Sequence, residues 1–199
     1  MANGTLKVSN IETSSGSGTI TIGQSGETIS VPSGATINLS NATQTGVGGA
    51  NTPAFHAYNT SGDTVSDATW TKMEFNTETF DTDSAYDVSN DKFTVPSGKA
   101  GKYFFHAKVN CRNTDNTIKR VIIKFYKNGS EINNQYDFTN MEHTAGNTVG
   151  IFRQLHVLNT LVVDLSAGDY IEVYSYLDVG SGTPIFDEAS SFLGYKLVT

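Results

Sequence analysis

Few residues in this sequence are of types that do chemistry, and their spacing limits what they can do. Asp81, Asp83, Asp87 and Asp91 fall close together, and calcium is the ion such a cluster would take. They do not follow the twelve-residue helix–loop–helix ligand pattern. Ala85 and Tyr86 stand at its third-ligand and glycine positions, and Lys92 stands where the bidentate Glu belongs. The histidines His56, His106, His143 and His156 have no i, i+4 pair of the kind that holds zinc. The single cysteine, Cys111, lies five residues from His106, but a nucleophile needs its base in space, with a third group orienting it. A buried thiol is the expectation there. No glycine-rich loop runs from a strand into a helix, so nucleotide binding has no support. The chain is therefore expected to be no enzyme and to need no cofactor, calcium being the one ion with any claim.

Net charge is −7 and the pI about 4.9. Such a chain lacks the cationic surface that neutralises phosphates, so nucleic acid is not an expected partner. No apolar run approaches the roughly 20 residues that span a bilayer, so no membrane is expected either. With one cysteine and no basic-then-apolar leader, the expectation is synthesis and folding in a host cytoplasm without disulfides.

The elements that would position these groups divide into two regions. All 21 aromatic residues (nine Tyr, eleven Phe, one Trp) lie after residue 50, whereas 9 of the 19 glycines lie before it. The first region, 1–50, carries a strand-like repeat: Thr19–Ile22, Thr28–Val31 and Thr36–Leu39. Gly23-Gln24-Ser25-Gly26 and Pro32-Ser33-Gly34 are expected turns between them. Each unit has one narrow apolar face and cannot bury it alone, which predicts an arm that folds against another chain. The boundary is expected near the glycine-rich stretch Gly46–Ala50.

The second region, 51–199, reads as all-β. Tyr103, Phe105, Ala107 and Val109 alternate with Phe104, His106, Lys108 and Asn110, and Val121–Tyr126 alternates likewise. Asn128-Gly129 predicts a tight hairpin, because both residues accept positive φ. Strands are expected over Val149–Leu165, Tyr170–Leu177 and Ser190–Val198, with a turn at Ser166–Asp169. No segment has a helical period. On Tyr170–Leu177, Ile171, Val173, Ser175 and Leu177 face one way, and Tyr174 and Tyr176 face the other. Large groups on both faces predict either a subunit interface or scattered surface tyrosines.

Residues Phe75, Asp81, Tyr86 and Phe93, followed by Gly101, Tyr103 and Phe105, resemble the signature of the C1q/TNF-like globular domain. The gap from Phe93 to Gly101 is two residues longer than in that pattern, and Ala107 replaces its last aromatic. Ala54–Tyr58 resembles the family's first strand, Leu165 with Gly168-Asp169 its Leu-x-x-Gly-Asp turn, and Phe192, Gly194 and Tyr195 its closing strand. The resemblance implies a ten-stranded jelly-roll sandwich that assembles as a compact trimer. Phe75, Tyr86, Phe93, Tyr103, Phe105, Tyr174, Tyr176, Phe192 and Tyr195 are then the expected core or trimer-interface positions. The arm and the stretch Thr77–Asp83 resemble proteins of tailed bacteriophages, marine ones especially.

The expected function is thus a homotrimeric structural protein on the virion surface. It would be a capsid decoration or short head fibre, held to major capsid or tail proteins through residues 1–50 by strand pairing. The alternative is a tail-fibre or receptor-binding module that recognises a host surface glycan or protein through loops such as Asn133–His143.

Overall fold

The computed structural model describes residue 11 and residues 18–38, 51–132, 138–142 (backbone only) and 152–197. The chain divides into two units, Met1–Thr45 and Gly46–Thr199. Leu39, the expected boundary Gly46–Ala50, residues 133–137 and His143 of the expected loop, residues 149–151 and Val198 lie outside the described residues.

In the first unit both expected turns form. The Glu27 N–H donates to the Gln24 carbonyl at 3.0 Å, and the Ala35 N–H to the Pro32 carbonyl at 3.1 Å. Gly26 (φ 88°) and Gly34 (φ 85°) take the left-handed conformation each turn requires. The expected strands between the turns carry no ladder among the described residues. Ile20, Ile22, Ile29, Val31 and Ile37 are all exposed. Alternation alone makes an extended segment; a strand also needs a neighbour to accept its hydrogen bonds, and the described residues of this unit supply none there.

The second unit is an all-β sandwich, and no helix occurs among its described residues. Its strands are β1 (Ala54–Tyr58), β2 (Asp63–Thr64), β3 (Thr69–Lys72), β4 (Thr77–Asp81), β5 (Tyr86–Asp87), β6 (Lys92–Thr94) and β7 (Gly101–Asn113). They continue as β8 (Ile118–Lys127), β9 (Ser130–Glu131), β10 (Phe138–Glu142), β11 (Gln154–Leu165), β12 (Tyr170–Val179), β13 (Pro184–Phe186) and β14 (Ser191–Lys196). Fourteen strands stand among the described residues where ten were expected, several of them pairing over only two or three residues.

Two antiparallel seven-stranded sheets face each other in the arrangement of a jelly roll. In the first, the long β7 takes β11 along one edge and β14, then β13, along the other. β14 continues to β1 and β4, and β13 to β2. In the second, β12 takes β8 on one edge and β6 and β3 on the other; β8 carries β9 and β10 beyond it. The hairpin at Asn128-Gly129 forms as expected, with φ of 52° and 74°. The Ser166–Asp169 turn closes through the Asp169 N–H on the Ser166 carbonyl, and the two extra residues before Gly101 lie at a turn closed by Lys99 and Pro96.

The core is an aromatic cluster between the sheets. Phe55 stacks on Tyr86 (5.0 Å) and Phe93 (5.1 Å) and meets Phe192 edge-on at 4.9 Å. Phe93 packs on Tyr103 and Phe105 at 5.4 and 5.2 Å. Each such pair adds about 0.5–1.5 kcal/mol beyond the area it buries. The resembling spacing thus has a physical content: Phe75, Tyr86, Phe93, Tyr103, Phe105 and Phe192 converge from four strands and one loop onto a single site. Tyr103 keeps its ring in this cluster while its hydroxyl donates to the Lys99 carbonyl at 2.6 Å.

Among the described residues no helix is long and apolar enough to cross a membrane.

Candidate assembly surface

Period-two alternation along β7 puts Tyr103, Phe105, Ala107 and Val109 in the core. It therefore turns Lys102, Phe104, His106 and Lys108 outward, onto the far side of the first sheet. The register then builds three rows across that face. Val162, Phe104, Tyr195 and Ala54 form one. Thr160, His106, Leu193, His56 and Phe80 form the next. Leu158, Lys108, Ser191 and Tyr58 form the third.

Much of this face is apolar and open. Val162 is 62% exposed, Leu158 55% and Phe80 49%. Phe104 and Tyr195 touch at 5.3 Å, and His56 bridges Tyr58 and Phe80 at 6.3 and 6.4 Å. Partial burial, with Lys108 on the same face, holds His106 below the ordinary histidine range.

The far side of the second sheet is built differently. Tyr174 and Tyr176 do project outward from β12, but their rings are already engaged. Tyr174 meets Tyr126 at 4.1 Å, and Tyr176 meets Trp70 at 5.5 Å. Lys124 lies over Trp70 at 5.0 Å and pairs with Glu131; Lys72 pairs with Glu172 at 2.7 Å. Both lysines are thus paired within the chain. A shallow cleft of about 330 Å³ remains, lined by Trp70, Arg120, Ile122, Lys124 and Tyr176.

The groups with chemical potential are spent on structure. Asp81 accepts the Tyr86 and Asp83 N–H groups, Asp91 the Phe75 N–H, and Asp87 the Ser89 N–H, while Asp83 pairs with Lys99 at 3.3 Å. Cys111 faces the core with no exposure. Its thiol donates to the Leu155 carbonyl at 3.3 Å, and burial pushes its pKa up to about 12. His106 leaves the opposite face of the same strand, so the two cannot act as a pair. No group of three or more His, Cys, Asp or Glu side chains within reach of one metal ion occurs among the described residues.

The nine residues expected in core or interface therefore divide. Phe75, Tyr86, Phe93, Tyr103, Phe105 and Phe192 are buried; Tyr174 and Tyr176 lie on the outer second sheet and Tyr195 on the outer first sheet. Sequence reasoning missed Leu158, Val162, Leu193 and Phe80. The signal was present in β11, where Val157 and Leu161 alternate with Leu158 and Val162, so that both faces of the strand are apolar.

No protein-family model matches the chain, and no curated protein matches it. Among solved structures, the chain is similar to the globular domain of zebrafish complement 1qA protein. Identity is 14%, the TM-score is 0.47, and the match covers 73% of this chain and 97% of that one. The two-sheet sandwich described above stands on its own strand pairing.

Proposed function

We propose that this chain is a non-enzymatic structural protein of a phage particle surface. Residues 53–199 are a C1q/TNF-like jelly roll that self-associates as a homotrimer, and residues 1–50 are an arm that docks it on capsid or tail proteins. The observation that carries the reading is the apolar outer face of the first sheet. Leu158, Val162 and Phe80 share this face with Phe104, Leu193 and Tyr195, and exposed apolar groups gathered on one face mark an interaction surface. Fully burying a side chain such as Leu158 or Val162 contributes about 1.5–3 kcal/mol.

The arm fits an anchoring role. Its regularly turned segments hold exposed isoleucines and unladdered backbone, which is what a strand-adding segment needs before it finds a partner. Three arms on one trimer multiply weak docking contacts. Deleting residues 1–50 is expected to leave a soluble trimer that no longer joins particles. Particle binding that survives this deletion would overturn the anchoring role.

One observation favours the second reading, a receptor-binding module. The cleft lined by Trp70, Arg120, Ile122, Lys124 and Tyr176 sets aromatic rings beside cationic groups, a combination suited to a saccharide. That reading predicts that the second unit alone labels host cells or blocks infection.

A further inference from the structure

Two histidines stand within the apolar face of the first sheet. His106 of β7 and His56 of β1 flank Leu193 of β14 in one row, which Thr160 and Phe80 close at its two ends. Both histidines are half-buried, and neither imidazole has a hydrogen-bond or ion-pair partner among the described residues. The His56 ring packs near those of Tyr58 and Phe80, at 6.3 and 6.4 Å.

The described residues around this row bring it positive charge and no carboxylate. The titratable groups that face it are Lys108 on β7, Tyr58 on β1 and Tyr195 on β14. From β11 come only Leu158, Thr160 and Val162, and from β4 Phe80. Asp164 lies two rows from Thr160 and is set opposite Lys102. Glu78 of β4 is set opposite the inward-facing Ala57, and its charge acts on Tyr86. His156 lies two rows the other way, exposed and opposite Asn110.

We propose that this row is an acid switch for assembly, which rests on the trimer proposed above: neutral His56 and His106 are buried between copies, and their protonation separates the chains. A neutral imidazole carries no charge into an apolar interface. A protonated one must be stripped of water there with no carboxylate to receive it. Each copy would then add two imidazolium groups to its Lys108 ammonium within one interface, and like charges repel. Partial burial and Lys108 already hold His106 below the ordinary histidine range in the single chain, and burial between copies pushes it the same way. Separated chains therefore take up protons more readily than the trimer. The trimer's stability is fully present above the separated chain's histidine range and is lost as pH falls below it.

Sedimentation of the full chain from about pH 7.5 to about pH 5 at constant ionic strength tests it, a window in which histidine changes charge and ordinary carboxylates stay ionised. The expected result at the upper end is a trimer of about 64 kDa, three times the 21.4 kDa chain. It gives way to the single chain below about pH 6, with far-UV circular dichroism unchanged because the switch separates folded copies. His56→Gln combined with His106→Gln is expected to stay trimeric throughout. His106→Lys, charged at every pH in the window, is expected to raise the dissociation constant about tenfold or more at about pH 7.5. A wild-type trimer that persists to the acid end would overturn the switch and leave the trimer standing. So would acid dissociation that the paired glutamines do not alter, or a His106→Lys trimer as tight as the wild type. A wild-type chain already monomeric at the upper end would overturn the assembly itself, and the switch with it.

Discussion

Gly194 is a residue whose replacement tests the core directly. It lies on the inward side of β14, opposite Phe55 of β1 and Phe105 of β7. A Cβ at this position would stand 2.3 and 2.6 Å from two ring carbons of Phe105 and 3.0 Å from one of Phe55. Ordinary carbon contacts begin near 3.4 Å, so in Gly194→Ala the Phe105 ring must retreat by more than about 1 Å. It has nowhere to go: Phe105 is held by Phe93 at 5.2 Å and Tyr103 at 5.9 Å, and all three are fully buried. Overpacking of this kind costs typically about 1–3 kcal/mol, and two blocked rings place this case near the top of that range. For a unit of this size about 3 kcal/mol lowers Tm by about 6–12 °C. Calorimetry on wild type and Gly194→Ala reads the shift. Adding Phe105→Leu to Gly194→Ala opens the space, so the double variant is expected to lose less than the sum of the singles. A Gly194→Ala protein that melts with the wild type would refute the packing described for this core.

Other predictions follow from single groups. Tyr86→Phe is expected to stabilise the fold by up to about 1–3 kcal/mol, because it removes a buried hydroxyl that has no partner among the described residues yet keeps the ring stacked on Phe55; urea midpoints at unchanged m-value report it. Cys111 is expected to resist iodoacetamide at pH 8 in the native protein and to react at once in guanidinium, since its pKa is pushed up to about 12 by burial; rapid native labelling counts against this. Asp169 accepts hydrogen bonds from Lys127, Asn128 and the Ser166 N–H, which hold its pKa down to about 2. Its folded pKa lies below its unfolded value, so its contribution is present above the ordinary aspartate range and is lost as pH falls towards 2. Asp169→Asn is expected to flatten that acid limb in melts taken between pH 4 and pH 2, and an unchanged limb would assign the loss to other carboxylates.

The core was legible wherever a strand buries one face and is long enough to show its period, as on β7, β8 and β12. Turns were legible wherever positive φ demands particular residues, as at Asn128-Gly129 and Gly168. β3 was not legible, because Thr69–Lys72 has four residues and its Trp70 packs against Tyr176, distant in sequence. β13 escaped for a related reason: Pro184–Phe186 is too short for alternation, and all three residues are buried between neighbours. The arm read as strand from its Thr-Ile alternation, yet pairing depends on a partner that no local pattern can supply. The candidate surface was half legible. Apolar residues on both faces were noticed on β12, where the outward tyrosines turn out to be engaged with Tyr126 and Trp70, and were overlooked on β11, where Leu158 and Val162 stand open.

Sedimentation of the full chain at micromolar concentration tests the central claim, that the outer face of the first sheet joins three copies. The account predicts a species of about 64 kDa, three times the 21.4 kDa chain, and a folded 21.4 kDa monomer for Leu158→Asp with Val162→Asp. A wild-type chain that sediments as a monomer, or a trimer that these two exposed substitutions leave intact, would contradict it.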